Sequence, residues 1–354
     1  MKNMTFTEKY SSLDGLRAFA AIGIVLMHVN ANIQIKPSVN ILTTTVIPFF
    51  TNFTLLFMII SGFSMCCGYY ERFKSNTISL NTFYTKRYNR ILPFFALLTI
   101  IDIIIEHNLA AIYEGFANLT LCFNLLPNPD ISVIGVGWFL GIIFLFYLLF
   151  PFFVFLLDNK KRAWIVFIIA LTYMAIANEY FFTERFVLRN PGRTNIIWCA
   201  PLFIAGGIIY LYRDKLFKLT KKYKLIYLFL SIIISILFFT GLPSTGNYIL
   251  TLFLFSLWLI YAIGDTNNRF LSNRFTIYIS NISMEIYLSH MFIYKIIEKL
   301  VIANYIHNNN FIYLTTCILT LIGAILFSHV CKYMIIPQIS FLLNKKSNEN
   351  SISK

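Results

Sequence analysis

Apolar runs of roughly 18 residues or more recur along the chain from Gly15 to Pro337, each long enough to cross a hydrocarbon core of about 30 Å. In lipid every backbone N–H and C=O must find its partner within the protein, so runs of this length fold as helices. The expected spans are 14–34, 46–68, 91–106, 133–157, 163–182, 196–212, 225–243, 247–264, 276–300 and 312–337. The fold expected is therefore all-α, a polytopic integral membrane helical bundle of about ten transmembrane helices. It fills residues 14–337 as one membrane domain, between a cytoplasmic N-terminus, 1–13, and a disordered cytoplasmic tail, 338–354, ending "NKKSNENSISK". Segment 112–126 reads as a re-entrant or interfacial piece. Only 12% of residues are charged and the mean hydropathy is +0.71, against about a quarter charged in an ordinary soluble protein.

The formal charge of +14 would point to nucleic acid in a soluble protein, but here Lys and Arg sit in short segments between apolar runs, as topology signals do. With the N-terminus in the cytoplasm, all of the 29 Lys and Arg except Lys36, Arg185, Arg189, Arg193, Lys295 and Lys299 fall on the inner side. The three outer arginines of "TERFVLRNPGR" grip an anionic acceptor or a phosphate head group, or simply belong to a solvated loop. Nucleic acid is not an expected partner; membrane lipids are. The six cysteines lack CxxC spacing and read as buried apolar residues.

Polar side chains inside apolar runs carry the chemistry. In "SSLDGLRAFAAIGIVLMHVN", Asp14 or Ser12 can cap the helix, with Arg17 in its first turn. His28 follows Arg17 by an offset that corresponds to about 16.5 Å of rise and only about 20° of azimuth, so both line one face. An ionisable group at that depth costs about 2.5–3.5 kcal/mol and needs a cavity or a polar partner, which leaves a functional base or a satisfied structural histidine. "ISNISMEIYLSHMFIYK" places Glu285, Tyr287, Ser289 and His290 in another apolar run, with His290 at nearly the depth of His28. Two imidazoles at one level define a shared polar chamber in which a neutral ring can take a proton from a hydroxyl. A two-histidine metal site is the rival reading, although no third ligand marks it and no metal is expected. Glu285 lies about 140° around the helix from His290, so the two do not meet. In "NTFYTKRYNRILPFF", Arg87 and Arg90 are neighbours on a helical turn and either clamp a phosphorylated donor or set topology.

Five segments in order resemble the acyltransferase-3 family of bacterial membrane O-acyltransferases: "LDGLRAFAAIGIVLMH", "FMIISGFSM", "FYTKRYNRILP", "GWFLGIIFLFYLLFP" and "SMEIYLSH", spanning residues 13 to 290. The resemblance implies a multi-pass protein of the bacterial cytoplasmic (inner) membrane with both termini inside. It further implies transfer of an acyl group, usually acetyl, from cytoplasmic acyl-CoA to a hydroxyl of a cell-surface polysaccharide or glycolipid precursor. No cofactor is resident; acyl-CoA is the co-substrate and the saccharide or glycolipid the acceptor. By the same resemblance His28 is the essential histidine, Arg17 its motif partner, and Arg87 with Arg90 the donor-side pair. Trp138 and Tyr147 fall in the motif that carries a glutamate between them in many members; "FLGIIFLF" here has none, and Glu285 is the candidate acidic helper in its place. The expected catalytic residues are therefore His28, Glu285 and His290, and those around the substrates Asp14, Arg17, Ser61, Arg87, Arg90, Trp138, Tyr147 and Tyr287. A transporter or flippase of a lipid-linked or acylated saccharide would also need many helices and buried polar groups, and is the alternative.

Overall fold

The computed structural model describes residues 10–126, 131–183, 192–240, 248–265 and 268–339, and among them every regular element is helical. Arg185 and Arg189, most of the N-terminal segment and nearly all of the tail lie outside the described residues.

Among the described residues five helices are long and apolar enough to cross a membrane: α1 (Ser12–Asn32), α2 (Leu42–Lys74), α3 (Leu80–Glu106), α7 (Lys160–Phe181) and α14 (Asn309–Ile339). Between them lie α4 (Leu109–Thr120), α5 (Gly135–Leu148), α6 (Phe150–Leu156), α8 (Ile196–Leu211), α9 (Arg213–Lys222), α10 (Lys224–Phe239), α11 (Tyr248–Gly264), α12 (Arg274–Asn281) and α13 (Ser283–Glu298).

The expectation of about ten membrane helices is thus corrected to five, or up to seven when the bent pairs α5–α6 and α8–α9 each count as one span. Hydropathy registers apolar runs but not the breaks within them. Pro151, which has no N–H to donate, opens α6 after a 60° bend. The 76° turn between α8 and α9 comes where apolar sequence gives way to the basic "RDKLFKLTKK". Helices α10 and α11 have 16 and 17 residues, about 24–26 Å of rise against a core of about 30 Å. The expected span 276–300 is divided at Ile282 into α12 and α13. Helix α4 agrees with an interfacial piece: Leu109, Ile112, Tyr113 and Phe116 expose one apolar stripe, while Gly115 on the other face packs on Ile103 and Thr99 of α3.

Helix α1 is central, packed against α2, α11, α12, α13 and α14. The tightest crossing joins α2 to α8. A β-carbon on Gly62 would overlap the Phe203 carbonyl and one on Gly206 the Ile59 carbonyl, so only glycine lets these backbones meet. Phe146 stacks on Phe203 beside the crossing, centroids 4.5 Å apart. Outward, α7 and α10 present Ile165, Ile168, Ile169, Leu225, Ile226 and Phe229, a surface matched to lipid. None of the six cysteines forms a disulfide, and four of them are buried.

The expected cap on α1 is absent. Asp14 instead accepts a hydrogen bond from Ser280 Oγ at 2.7 Å and pairs with Arg17, while Ser12 Oγ donates to the Asp265 carbonyl. With Arg17 and Ser280 of α12 within reach of Asp14, the tertiary partners win over the helix's own N–H groups. Asp265 ties this end together. Its carboxylate accepts from Tyr261 at 2.9 Å and Asn268 at 2.8 Å and pairs with Lys224 at 3.0 Å.

Candidate active site

Polar side chains cluster at the two ends of α1. The uninterrupted helix carries Arg17 at one end and His28 near the other, on the shared face that the spacing implies.

At the histidine end, the rings of His28 and His290 lie 4.9 Å apart, centroid to centroid, tilted by 47°. His290 is fully buried, on the inner turns of α13, and His28 is half-buried. His290 Nδ1 lies 2.6 Å from the Tyr287 carbonyl oxygen. A carbonyl only accepts, so Nδ1 carries the hydrogen and Nε2 keeps its lone pair. That Nε2 is buried without a hydrogen-bond partner, a rare condition for a native polar atom and a favourable one for a group that must receive a proton or a hydroxyl hydrogen.

Tyr287 sits one turn before His290, ring centroids 6.0 Å apart, and donates to the Val136 carbonyl at 2.6 Å. Its ring packs edge-on against Phe139, at 5.7 Å, and Phe139 against Trp138, at 5.8 Å, so an aromatic chain connects the motif tryptophan to the histidine pair. The loop entering α5 is held by acids. Glu114 accepts from the Ser132 and Val133 N–H groups at 2.8 and 2.9 Å, and Asp102 from the Ile134 N–H at 2.9 Å. Burial pushes the Glu114 carboxyl up, but these donors outweigh it and hold the group below its ordinary value. The clamp retains Ile134 in the left-handed region, φ 51°, a conformation that costs a β-branched residue about 1–3 kcal/mol. Arg193, the one arginine of "TERFVLRNPGR" among the described residues, donates to Thr51 Oγ1 at 2.8 Å and to the Thr51 carbonyl at 3.2 Å in α2.

At the arginine end, Arg17 pairs with Asp14 at 3.2 Å and donates to Ser64 Oγ at 2.6 Å. Arg87 donates to Tyr69 Oη at 2.6 Å and lies over the rings of Tyr69 and Tyr147, at 4.8 and 5.7 Å. Its Nε is buried without a partner. The Tyr147 hydroxyl in turn stands 3.3 Å from Ser61 Oγ. Arg90, one turn along α3, is exposed. Glu285 comes to this end rather than to His290: its carboxylate meets Lys332 of α14 at 2.7 Å.

The structure therefore brings His28, His290 and Tyr287 together at one level, with Trp138 linked through Phe139. It brings Arg17, Asp14, Arg87, Tyr147 and Ser61 together at the other. Ser64, Tyr69 and Lys332 are site neighbours that the sequence reading did not name. Ser64 had a signal, since it follows Ser61 by three residues on one face of α2. Tyr69 sits on a π-helical turn, Cys66–Tyr70, whose changed register no apolar periodicity announces. Among the described residues no group of three or more His, Cys, Asp or Glu side chains gathers as a metal site would require.

The family model described as an acyltransferase domain, acyltransferase-3, matches residues 10–329. The match takes in both ends of the site and nearly all of the helical bundle, and the chain belongs to this family of membrane acyltransferases. No curated protein and no solved structure matches it.

Proposed function

We propose that the chain moves an acyl group, acetyl in the first instance, from cytoplasmic acyl-CoA to a hydroxyl of a cell-surface polysaccharide or glycolipid precursor. The observation that carries the reading is the pair of contacting imidazoles, one with an unpartnered buried nitrogen, at one end of a helix whose other end holds an arginine cluster. The domain is 14–337, with both termini on the cytoplasmic side of a bacterial inner membrane; the distribution of Lys and Arg supports that orientation.

The phosphates of acyl-CoA dock at Arg87 and Arg90 with Arg17 behind them, guanidinium forks being suited to phosphate oxygens. The pantetheine arm runs along α1, past Ser61 and Tyr147, and delivers the thioester to the histidines. His28 takes the proton of the acceptor hydroxyl as its oxygen attacks the thioester carbon. The C–O bond forms, the C–S bond breaks, and the imidazolium returns the proton to the departing thiolate. General-base assistance of this kind contributes about 10²–10⁴-fold. His290 orients His28 or the acceptor hydroxyl, and Tyr287 and Trp138 wall the chamber. Glu285 serves this site from the arginine end.

Incubating the purified protein in vesicles with radiolabelled acetyl-CoA and a glycan acceptor tests the reading. Label should move to the glycan in wild type and fail to in His28→Ala. Transfer by His28→Ala at the wild-type rate would remove the base, and passage of saccharide without covalent transfer would favour transport.

A further inference from the structure

The arginine end holds a cation to which the donor reading assigns nothing. Lys332 lies on the π-helical turn Cys331–Ile335 of α14, its side chain 18% exposed. Its Nζ meets Glu285 Oε1 at 2.7 Å and donates to the Asn281 carbonyl. Glu285 is only 3% exposed, and its second oxygen, Oε2, has no partner. Lys332 is also within electrostatic range of Arg90, which in turn is within range of Arg17.

Three helices, α1, α3 and α14, thus converge cations on one place: Arg17, Arg87, Arg90 and Lys332, against the carboxylates of Asp14 and Glu285. Positive charge is in surplus there. A buried ion pair with one carboxylate oxygen unsatisfied is poor value as a stabilising device, since desolvating both ions offsets most of their attraction. Such a pair makes sense as a resting state in which the carboxylate holds a cation in place until a stronger anion arrives. A lysine on a flexible stem can turn from one oxygen to another, which a bidentate arginine in a packed fork does less readily.

We propose that Lys332 binds a phosphate of the acyl-CoA donor, and that Glu285 is the counter-ion that keeps it charged and positioned while the site is empty. The inference rests on the donor reading given under Proposed function and adds to it a residue from the far end of the chain. When phosphate binds, the Lys332 ammonium is shared with it and the arginine cluster closes around the nucleotide from the α14 side. The pantetheine arm is left to α1 and α2.

The test uses full-length protein in nanodiscs of phosphatidylcholine, with and without phosphatidylglycerol, and two donors, acetyl-CoA and acetyl-pantetheine, the second carrying no phosphate. CoA binding is measured by titration, independently of turnover. In Lys332→Met the ratio of catalytic efficiencies for the two donors should shift against acetyl-CoA about tenfold, with CoA affinity falling in step, because one charge-assisted contact is lost. Lys332→Arg should recover most of the ratio. Glu285→Gln, which frees the lysine, should hold CoA at least as tightly as wild type, and it keeps the proposal testable if Lys332→Met folds poorly. A donor ratio within about twofold of wild type in Lys332→Met would overturn the proposal, as would equal losses with both donors. A defect that appears only as altered response to phosphatidylglycerol, with CoA affinity intact, would assign the lysine to a lipid head group instead and also overturn it. Absence of CoA binding or acyl transfer in the wild-type protein would be a failure of the donor reading itself, and is distinguishable from all of these.

Discussion

The two ends of α1 handle buried polarity in opposite ways. At the arginine end ions are set against ions and polar groups, Arg17 against Asp14 and Ser64, Asp14 against Ser280, Arg87 against Tyr69 and Lys332 against Glu285, while Arg87 Nε and Glu285 Oε2 stay open. At the histidine end the side chains are imidazoles and a phenol rather than ion pairs, with His290 Nε2 open and a strained Ile134 just before the turn of α5 that Tyr287 grips. On the proposed function, the contrast separates holding from reacting. Charges that must wait for an anion are kept in order by counter-ions, whereas a proton-transfer group needs an open lone pair and would be silenced by a permanent donor.

The comparison breaks most visibly at the imidazoles. His28→Ala should lower the transfer rate about 10²–10⁴-fold, read as product formation at saturating donor, with CoA affinity hardly moved. The mirror-image outcome belongs to Arg87→Ala. There the KM for acetyl-CoA should rise about ten- to hundredfold, the equivalent of one or two charge-assisted hydrogen bonds, with kcat falling less. If both variants lose kcat and affinity in the same proportion, the division of labour between the ends is wrong. Gly206→Leu attacks the frame that both ends share. The side chain has nowhere to go against the α2 backbone, so thermal unfolding should report a loss of about 1–3 kcal/mol, and both activities should decline together.

The smallest effect sharpens the arginine end alone. Burial pushes the Asp265 carboxyl up, but Lys224, Asn268 and Tyr261 outweigh it and hold its folded-state pKa below the ordinary carboxylate range. A depressed carboxylate contributes its stability in full above the unfolded pKa of about 3.9 and loses it as pH falls through the folded value. Asp265→Asn should therefore cost about 1 kcal/mol near neutrality, and melting scans against pH should show a shallower decline on the acid side than in wild type. Matching acid limbs would mean that the ion pair with Lys224 adds nothing to the fold.

Periodicity made one line of this site readable in advance. Arg17 and His28 share a face because α1 is unbroken, and the depth of His290 could be matched to that of His28 by rise per residue alone. The contact between the two rings adds what the match could not supply, that α13 packs beside α1. What could not be read was anything depending on which distant helix would lie alongside. Nothing near Lys332 in sequence announces Glu285, and Asp14 looked like a cap until Ser280 and Arg17 stood beside it. The helix count failed for a related reason. Apolarity alone does not reveal that Pro151 bends one run, that Ile282 divides another, or that α10 and α11 stop short of a full crossing.

The hydrogen bond from Tyr287 to Val136 makes a mechanical joint. It fastens α13, on which His290 rides, to the first turn of α5, just ahead of Trp138. The placement of the buried imidazole and the position of the tryptophan-bearing helix are coupled through this bond and the Tyr287–Phe139 ring contact beside it.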